Sequence, residues 1–492
     1  MHKRKDGMIM SNTIVLPSGK LGIKAKYINQ YLDEYNENPL IQALPKFKSK
    51  EEIIKELSFF PKLDKSDKEL AENIRIHLLQ RIYKIFQPLP KHVEIFNLID
   101  TLIKQGYVAR NPNSTNYIKH INCLGNNLIN KNFEINLETD FRSTATCGLI
   151  IGFSGMGKTT TVNRVLNQIP SIIVHSKHNN KDFNCIQVPW IKLEAPHNGS
   201  LKALTLQFFM KIDDLLGTKN MERYVSRNTS VDAMVPLMGQ LANNIGLGVL
   251  IIDEIQHLNK KGYDNLMNYF VALINSFGVP LLLIGTPAAY DMLQNEMRIA
   301  RRVSGGGEII WNNMINDKEF KIFMRGLWRY QYTMGSASLD DTIINKFYDK
   351  TQGILDLAVK LFVNVQKEAI EKGIEKITLD LIDKVWEEKF KLLKPIIKTL
   401  KNKNSLSLEY DDIRVLPEAN TEKKEYKKKK INEIEGVVAS IKSNKIKISE
   451  LDKLDLRRVV FEGNESKIDV YDSLKRHGFI KDIKEIVGEF ND

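Results

Sequence analysis

Residues Leu149 to Thr160 read LIIGFSGMGKTT, and the residue types in that stretch can hold a phosphate chain. Glycines at 152, 155 and 157 let the backbone curl so that successive N–H groups point inward at phosphate oxygens. The helix that follows adds the positive end of its dipole. The spacing is GxxxxGK[ST] between an apolar run and a helix-compatible run, the setting a phosphate-binding loop requires. Gly152, Ser154, Gly155, Met156, Gly157, Lys158, Thr159 and Thr160 are therefore expected to bind ATP. Lys158 would reach the β- and γ-phosphates, and the Thr159 hydroxyl would hold Mg²⁺. The plainer account of the stretch is a glycine-rich strand-to-helix turn.

A phosphate loop of this kind needs an acidic partner at the end of another buried strand. Val249-Leu250-Ile251-Ile252-Asp253-Glu254 supplies one. Asp253 is expected to orient Mg²⁺ and Glu254 to polarise the water that attacks the γ-phosphate. A third apolar run ends in Gly285-Thr286-Pro287. Thr286 is placed to contact the γ-phosphate or the attacking water, unless it is only a turn residue before the proline. Arg298, Arg301 and Arg302 follow. An arginine supplied by a neighbouring subunit can neutralise charge on the transferring phosphoryl group; a solvated or DNA-facing helix end is the other reading.

These residues must be positioned by a layered α/β fold. From 141 to 335, strand candidates at Leu149–Ile151, Cys185–Leu193, Val249–Ile252 and Leu281–Ile284 alternate with helix candidates at Leu201–Leu216, Val231–Asn244 and Asn265–Phe277. That order argues for a parallel sheet covered by helices. Short runs apolar throughout suit strands buried on both faces. Residues 1–140 read as mostly helical, with capping boxes at Ser49–Glu52 and Ser66–Glu69. A helix from Leu70 to Ile85 is expected to stop at Pro88 and Pro90, and one from His92 to Gln105 to be capped by Gly106. Asparagines between Asn111 and Asn132 suggest a loop-rich join. Residues 336–395 are helical again. From 396 to 492 the chain is lysine-rich, including Lys427 to Lys430, with helix candidates at Ile431–Ser443 and Ser466–His477.

The chain has 492 residues, 42% hydrophobic and 27% charged. That is more than one compact core accommodates. The net charge of +12 favours a polyanionic partner, nucleic acid before an anionic membrane. No apolar run reaches the ~20 residues of a spanning helix, and the N-terminus lacks the apolar core of a secretion signal. Cys123, Cys147 and Cys185 lie far apart, which argues against a disulfide framework and for a reducing cytoplasm. His175, His178, Cys185 and His197 follow no zinc spacing. Trp190, Trp311, Trp328 and Trp386 are expected to be core or interface anchors. No base-reading motif is present, so DNA binding, where it occurs, is expected to be largely sequence-nonspecific and salt-sensitive.

With those residues in view, the chain resembles an AAA+ ATPase, and more narrowly the TnsC and TniB group of transposition regulators. The resemblance rests on GFSGMGKTT, LEAPHNGSLKAL (193–204), LGVLIIDEIQHL (247–258), VPLLLIGTPAAY (279–290) and Ala300-Arg301-Arg302. It extends loosely to NPLIQALP (38–45) and GYVARNP (106–112). It implies an αβα ATPase core at 141–335 and a helical lid at 336–395. A helical N-terminal partner-binding region would precede them, and a basic C-terminal transposase-interaction segment would follow. It implies a homo-oligomer, ring or filament, on double-stranded DNA that links a target-selecting DNA-binding protein to transposase subunits and hydrolyses ATP as a timing switch. Arg301 or Arg302 would then complete a neighbour's ATP site, and Ser200 and Lys202 would lie near the DNA backbone. AAA+ lids commonly carry a sensor arginine in a Gly-x-x-Arg setting; here Gly353 is followed three residues on by Asp356. The competing functions are a helicase loader or replication initiator, a secretion-associated ATPase, and a scaffold that binds ATP without turnover.

Overall fold

The computed structural model describes residues 12–130, 140–225, 230–258, 263–294, 305–401 and 414–416, together with Arg458, Val459, Glu462, Ser473 and Arg476. Residues 1–416 make one compact unit and 417–492 a second. Within the second unit, Arg458 donates to Glu462 one helical turn on at 2.7 Å, and the Ser473 hydroxyl donates to the Val459 carbonyl at 3.1 Å. Lys427 to Lys430 and the expected helix at 431–443 lie outside the described residues. Of 466–477, only Ser473 and Arg476 are described, both helical.

Five strands of the first unit build the central sheet: β3 (Cys147–Gly152), β6 (Trp190–Glu194), β7 (Val249–Asp253), β8 (Leu281–Gly285) and β9 (Glu308–Trp311). Their order is β6-β7-β8-β3-β9, all parallel. Every residue of β3, β7 and β8 is buried, the reason those runs carry no polar alternation. The fold is thus the α/β class expected, a parallel sheet packed against helices and followed by a helical region. β3 lies between β8 and β9, and its loop leaves the carboxyl edge of the sheet where the order of connection switches from one side to the other. That crevice is where open α/β sheets bind ligands.

β9 and most of a second sheet were not legible from periodicity. β1 (Thr13–Val15) and β2 (Leu21–Lys24) join β4 (Ile173–His178) and β5 (Lys181–Gln187) in a second sheet of order β1-β2-β4-β5, with β2 parallel to β4. The run expected as one strand at Cys185–Leu193 is two. It breaks at Val188-Pro189, and its halves belong to different sheets because Pro189 has no N–H to continue a ladder.

Helices Leu201–Leu216 and Val231–Asn244 form as expected, and the third candidate runs Tyr263–Asn275. The Ser49 capping box is present, with Glu52 N–H to Ser49 Oγ at 3.2 Å and Ser49 N–H to Glu52 Oε2 at 2.7 Å. The box expected at Ser66 is not: Asp64 caps a 3₁₀ turn with Asp67 as its partner, and Ser66 donates to Asp64. The single helix expected over Leu70–Ile85 is an α-helix, Glu72–Leu78, run into a 3₁₀ segment, Leu79–Lys84. Gly106 does not end a helix. The helix Pro90–Val108 passes through it, and a Cβ there would lie 2.1 Å from the Pro280 ring, so glycine serves close packing. The asparagine-rich join holds a helix at Thr115–Ile129.

The N-terminal helices share the hydrophobic core of the sheet: Ile95, Ile99, Leu102 and Ile103 pack in the same cluster as Ile150, Ile251, Leu282 and Ile284. That cluster continues into the lid helices Asp341–Thr351, Leu355–Glu371 and Leu379–Lys389. Trp311, Trp328 and Trp386 are buried core anchors, and the Trp328 indole donates to the Ala337 carbonyl at 2.7 Å. Among the described residues no helix is long and apolar enough to cross a membrane.

Candidate nucleotide site

β3 delivers its last residue, Gly152, against β9, where a Cβ would lie 2.3 Å from the Trp311 carbonyl oxygen. The chain then turns through Gly155 and Gly157 at φ 82° and 90°, left-handed values that glycine alone adopts without strain. The helix Lys158–Leu166 starts at once, aiming its free N–H groups into the loop. Phe153 and Met156 face inward as buried anchors, whereas Ser154 and Thr160 are exposed on the loop rim. The Lys158 ammonium, 9% exposed, lies across the loop's base and donates to the carbonyls of Gly152 at 2.7 Å and Phe153 at 2.9 Å.

β7 carries Asp253 into the same crevice. It is 2% exposed, and its carboxylate is held from three directions: Thr159 Oγ1 donates at 2.9 Å, Lys192 Nζ at 2.8 Å, and the Glu254 backbone N–H at 3.0 Å. A hydroxyl and a carboxylate in contact at the end of a phosphate cradle are the hard oxygen donors that Mg²⁺ takes alongside substrate phosphates. The residues present therefore fit a Mg²⁺–nucleotide. Lys192, on β6 beside β7, also donates to Asn163 of the loop helix at 3.0 Å. Sequence reasoning passed it over; a lysine inside a strand that ends next to the acidic pair was the available signal.

Glu254 takes φ 58°, a left-handed conformation that costs a side-chain-bearing residue of order 1–3 kcal/mol and marks a functional turn. Gln256 ties it down. Its amide donates to Glu254 Oε2, and its carbonyl oxygen accepts the Thr286 N–H at 3.2 Å. Two of the three strand ends expected to meet, those of β7 and β8, are thus joined through one side chain that the sequence reading did not single out. Thr286 is 5% exposed at the end of β8 and lines the cavity with Glu254.

That cavity measures about 550 Å³. Its phosphate end is the loop just described. Its other end is walled by Ile85, Phe86 and His92 from the N-terminal segment and by Phe323, Leu355 and Val359 from the lid side. Arg164 of the loop helix fixes the first wall by lying over the Phe86 ring at 4.6 Å and donating to the Leu57 carbonyl at 2.5 Å. The lid closes on the loop itself: the Asp356 N–H donates to the Gly155 carbonyl at 3.0 Å, and the Asp356 carboxylate pairs with Lys360 at 2.6 Å. The place where an arginine was looked for thus carries an acid already paired within the lid.

Residues 140–293 match the AAA domain family. This segment holds the phosphate loop, Asp253, Glu254 and Thr286, while the apolar end of the cavity is built from residues outside it. No curated protein matches the chain. Among solved structures the chain is similar to a Walker-type ATPase of Pyrococcus abyssi, at 15% identity over 58% of this chain and 75% of that one, TM-score 0.32. It is also similar to the Aeropyrum pernix ORC1 protein, solved with DNA, at 14% identity over 58% and 69%, TM-score 0.34. Domain III of the Thermotoga maritima initiation protein DnaA aligns at 12% identity over 56% and 94%, TM-score 0.30. The parallel strand order and the loop geometry agree with the family match over that segment.

Of the remaining expected residues, Arg298, Arg301 and Arg302 lie outside the described residues. Ser200 caps the helix Leu201–Leu216, accepting the Ala203 N–H at 3.2 Å, and Lys202 stands in that helix's first turn, partly exposed. The histidines and cysteine in question do not form a metal site. His175 contacts Tyr27 at 2.9 Å and Gln187 at 2.9 Å, and His178 contacts Gln42 at 2.7 Å. His197 lies instead against His257, ring centroids 4.5 Å apart. Among the described residues no group of three or more His, Cys, Asp or Glu could hold a metal ion.

Proposed function

We propose that this protein is a Mg²⁺-dependent ATPase that assembles on double-stranded DNA and regulates transposon insertion. The observation that carries the ATPase reading is the hydrogen bond from Thr159 to a buried Asp253 at the mouth of a glycine-turned phosphate loop. Thr159 and Asp253 would hold Mg²⁺, which when bound would neutralise charge developing on the phosphates. Lys158 leaves its backbone carbonyls to meet the phosphates. Glu254, aimed by Gln256, accepts a proton from the attacking water at its carboxylate, and Thr286 positions that water or the γ-phosphate. Arg301 or Arg302 of a neighbouring copy would complete the site, so turnover would depend on assembly.

The DNA and transposition parts of the proposal are supported by the resemblance to the TnsC and TniB group in DEIQ, IGTP and Ala300-Arg301-Arg302, and by the net charge of +12. Ser200 and Lys202 are the proposed backbone contacts. A target-selecting protein and the transposase are the proposed partners. Asp356, paired with Lys360 where a sensor arginine would act, suits a slow, partner-timed hydrolysis.

Electron microscopy of the full chain on a short duplex tests this, with ATP, with a slowly hydrolysed analogue and with Lys158→Ala. Nucleotide-dependent rings or filaments that vanish in the variant are expected. A protein that remains monomeric and off DNA in every state overturns the assembly reading. Capture of a replicative helicase and no transposase would replace it with a loader or initiator.

A further inference from the structure

Away from the phosphate loop the cavity is lined by Tyr83, Gln87, His92 and Asp356 among its apolar walls, and of these polar groups only His92 is buried. His92 stands in the first turn of the helix Pro90–Val108, 4% exposed, and its ring lines the cavity. The Leu89 backbone N–H donates to His92 Nδ1 at 2.8 Å, so Nδ1 is the unprotonated nitrogen and the hydrogen sits on Nε2. Burial, with the Arg164 charge adding to it, lowers the ring's pKa to about 3, so the imidazole stays neutral and keeps this tautomer at any physiological pH. Phe86 and Trp311 hold the ring in place, with centroids at 4.7 and 5.2 Å.

Nε2–H is therefore a fixed donor on a buried side chain, and among the described residues no hydrogen bond to it is found. That nitrogen meets the cavity, where an acceptor on a bound ligand can take the place of water. Its apolar neighbours in the cavity are Ile85, Phe86, Phe323, Leu355 and Val359, walls suited to a flat ring, with Tyr83, Gln87 and Asp356 as the other polar lining.

We propose that His92 reads the nucleobase: its Nε2–H donates to an acceptor nitrogen of the purine ring of the bound nucleotide. The proposal rests on the nucleotide site described above and adds to it a specificity-determining residue supplied from outside the AAA domain. A base whose matching ring position carries a hydrogen would face donor against donor and be rejected, as sites built to pair a polar group reject analogues that cannot.

The test is a competition titration of the full chain with ATP and with 1-deaza-, 3-deaza- and 7-deaza-ATP, each of which replaces one ring nitrogen with C–H. The expected result is that one analogue binds about tenfold more weakly than ATP. In His92→Phe that penalty disappears, and ATP itself binds about tenfold more weakly. The wild-type series stands without the variant, should the variant not fold. If ATP binds and all three analogues bind equally well, or the penalty persists in His92→Phe, then His92 does not read the base and the nucleotide site stands. If ATP does not bind the wild type in the presence of Mg²⁺, both readings fall together.

Discussion

The Thr159 hydroxyl donates to the Asp253 carboxylate at 2.9 Å, joining two residues that are distant in sequence and meet only because β3 and β7 flank β8 in one parallel sheet. This contact marks where a divalent cation would be held. Replacing Asp253 by Asn leaves the packing but removes the charge that Thr159 and Lys192 now share. Mg²⁺-dependent hydrolysis should fall by at least ~100-fold, the scale of losing an electrostatic contact made in the transition state. The check is initial rate against Mg²⁺ concentration, and an unchanged curve would place the cation elsewhere.

Gln256 acts through Glu254 and Thr286. Gln256→Ala should lower kcat by about tenfold with little change in KM, since it removes hydrogen bonds of about 1 kcal/mol that aim the base and do not hold the substrate. A rise in KM at constant kcat would mean instead that Gln256 binds nucleotide.

Arg75 ties the N-terminal segment to the lid. Its guanidinium is buried and donates to both Glu375 oxygens at 2.7 Å and to the Tyr332 carbonyl at 3.2 Å. The pairing holds the Glu375 carboxyl below its usual range. Arg75→Ala strands a partly exposed carboxylate and the carbonyls of Leu70 and Tyr332, and should cost about 2 kcal/mol, read as a lower denaturant midpoint at unchanged slope.

His92 also sets a pH dependence. Its pKa is about 3 when folded and 6.5 when free, so between those values the unfolded chain binds the extra proton. Stability contributed by the neutral ring is fully present above pH 6.5 and is lost as pH falls, by on the order of 2 kcal/mol at pH 5. Denaturant titrations from pH 7 to pH 5 should show this loss, smaller by up to one proton's slope in His92→Phe. An identical slope in the two proteins would count against a buried neutral ring.

Much of the phosphate end was legible because its chemistry is local. GFSGMGKT fixes its own turn through glycine φ values, and Asp253 announces itself by following four buried aliphatics. What the sequence hid is nonlocal. Thr13–Val15 and Leu21–Lys24 are strands only because Ile173–His178 offers an edge to pair with, and such pairing leaves no period in a three- or four-residue run. Cys185–Leu193 looked continuous because both halves are apolar, although Pro189 carried the clue. Lys192 reads as a solvated lysine until the neighbouring strand brings Asp253 within 2.8 Å. The apolar end of the cavity was missed for the same reason: Ile85, Phe86 and His92 precede the motif by some sixty residues, and only the packing of the helix Pro90–Val108 against the sheet brings them to the phosphate loop's cavity.

The most direct test of the central claim is a single-turnover measurement of γ-phosphate release from bound ATP with Mg²⁺, comparing wild type with Glu254→Gln. The account predicts equal ATP affinity for the two proteins and phosphate release at least ~100-fold slower in the variant. Equal release from both, or no ATP binding by the wild type, would contradict it.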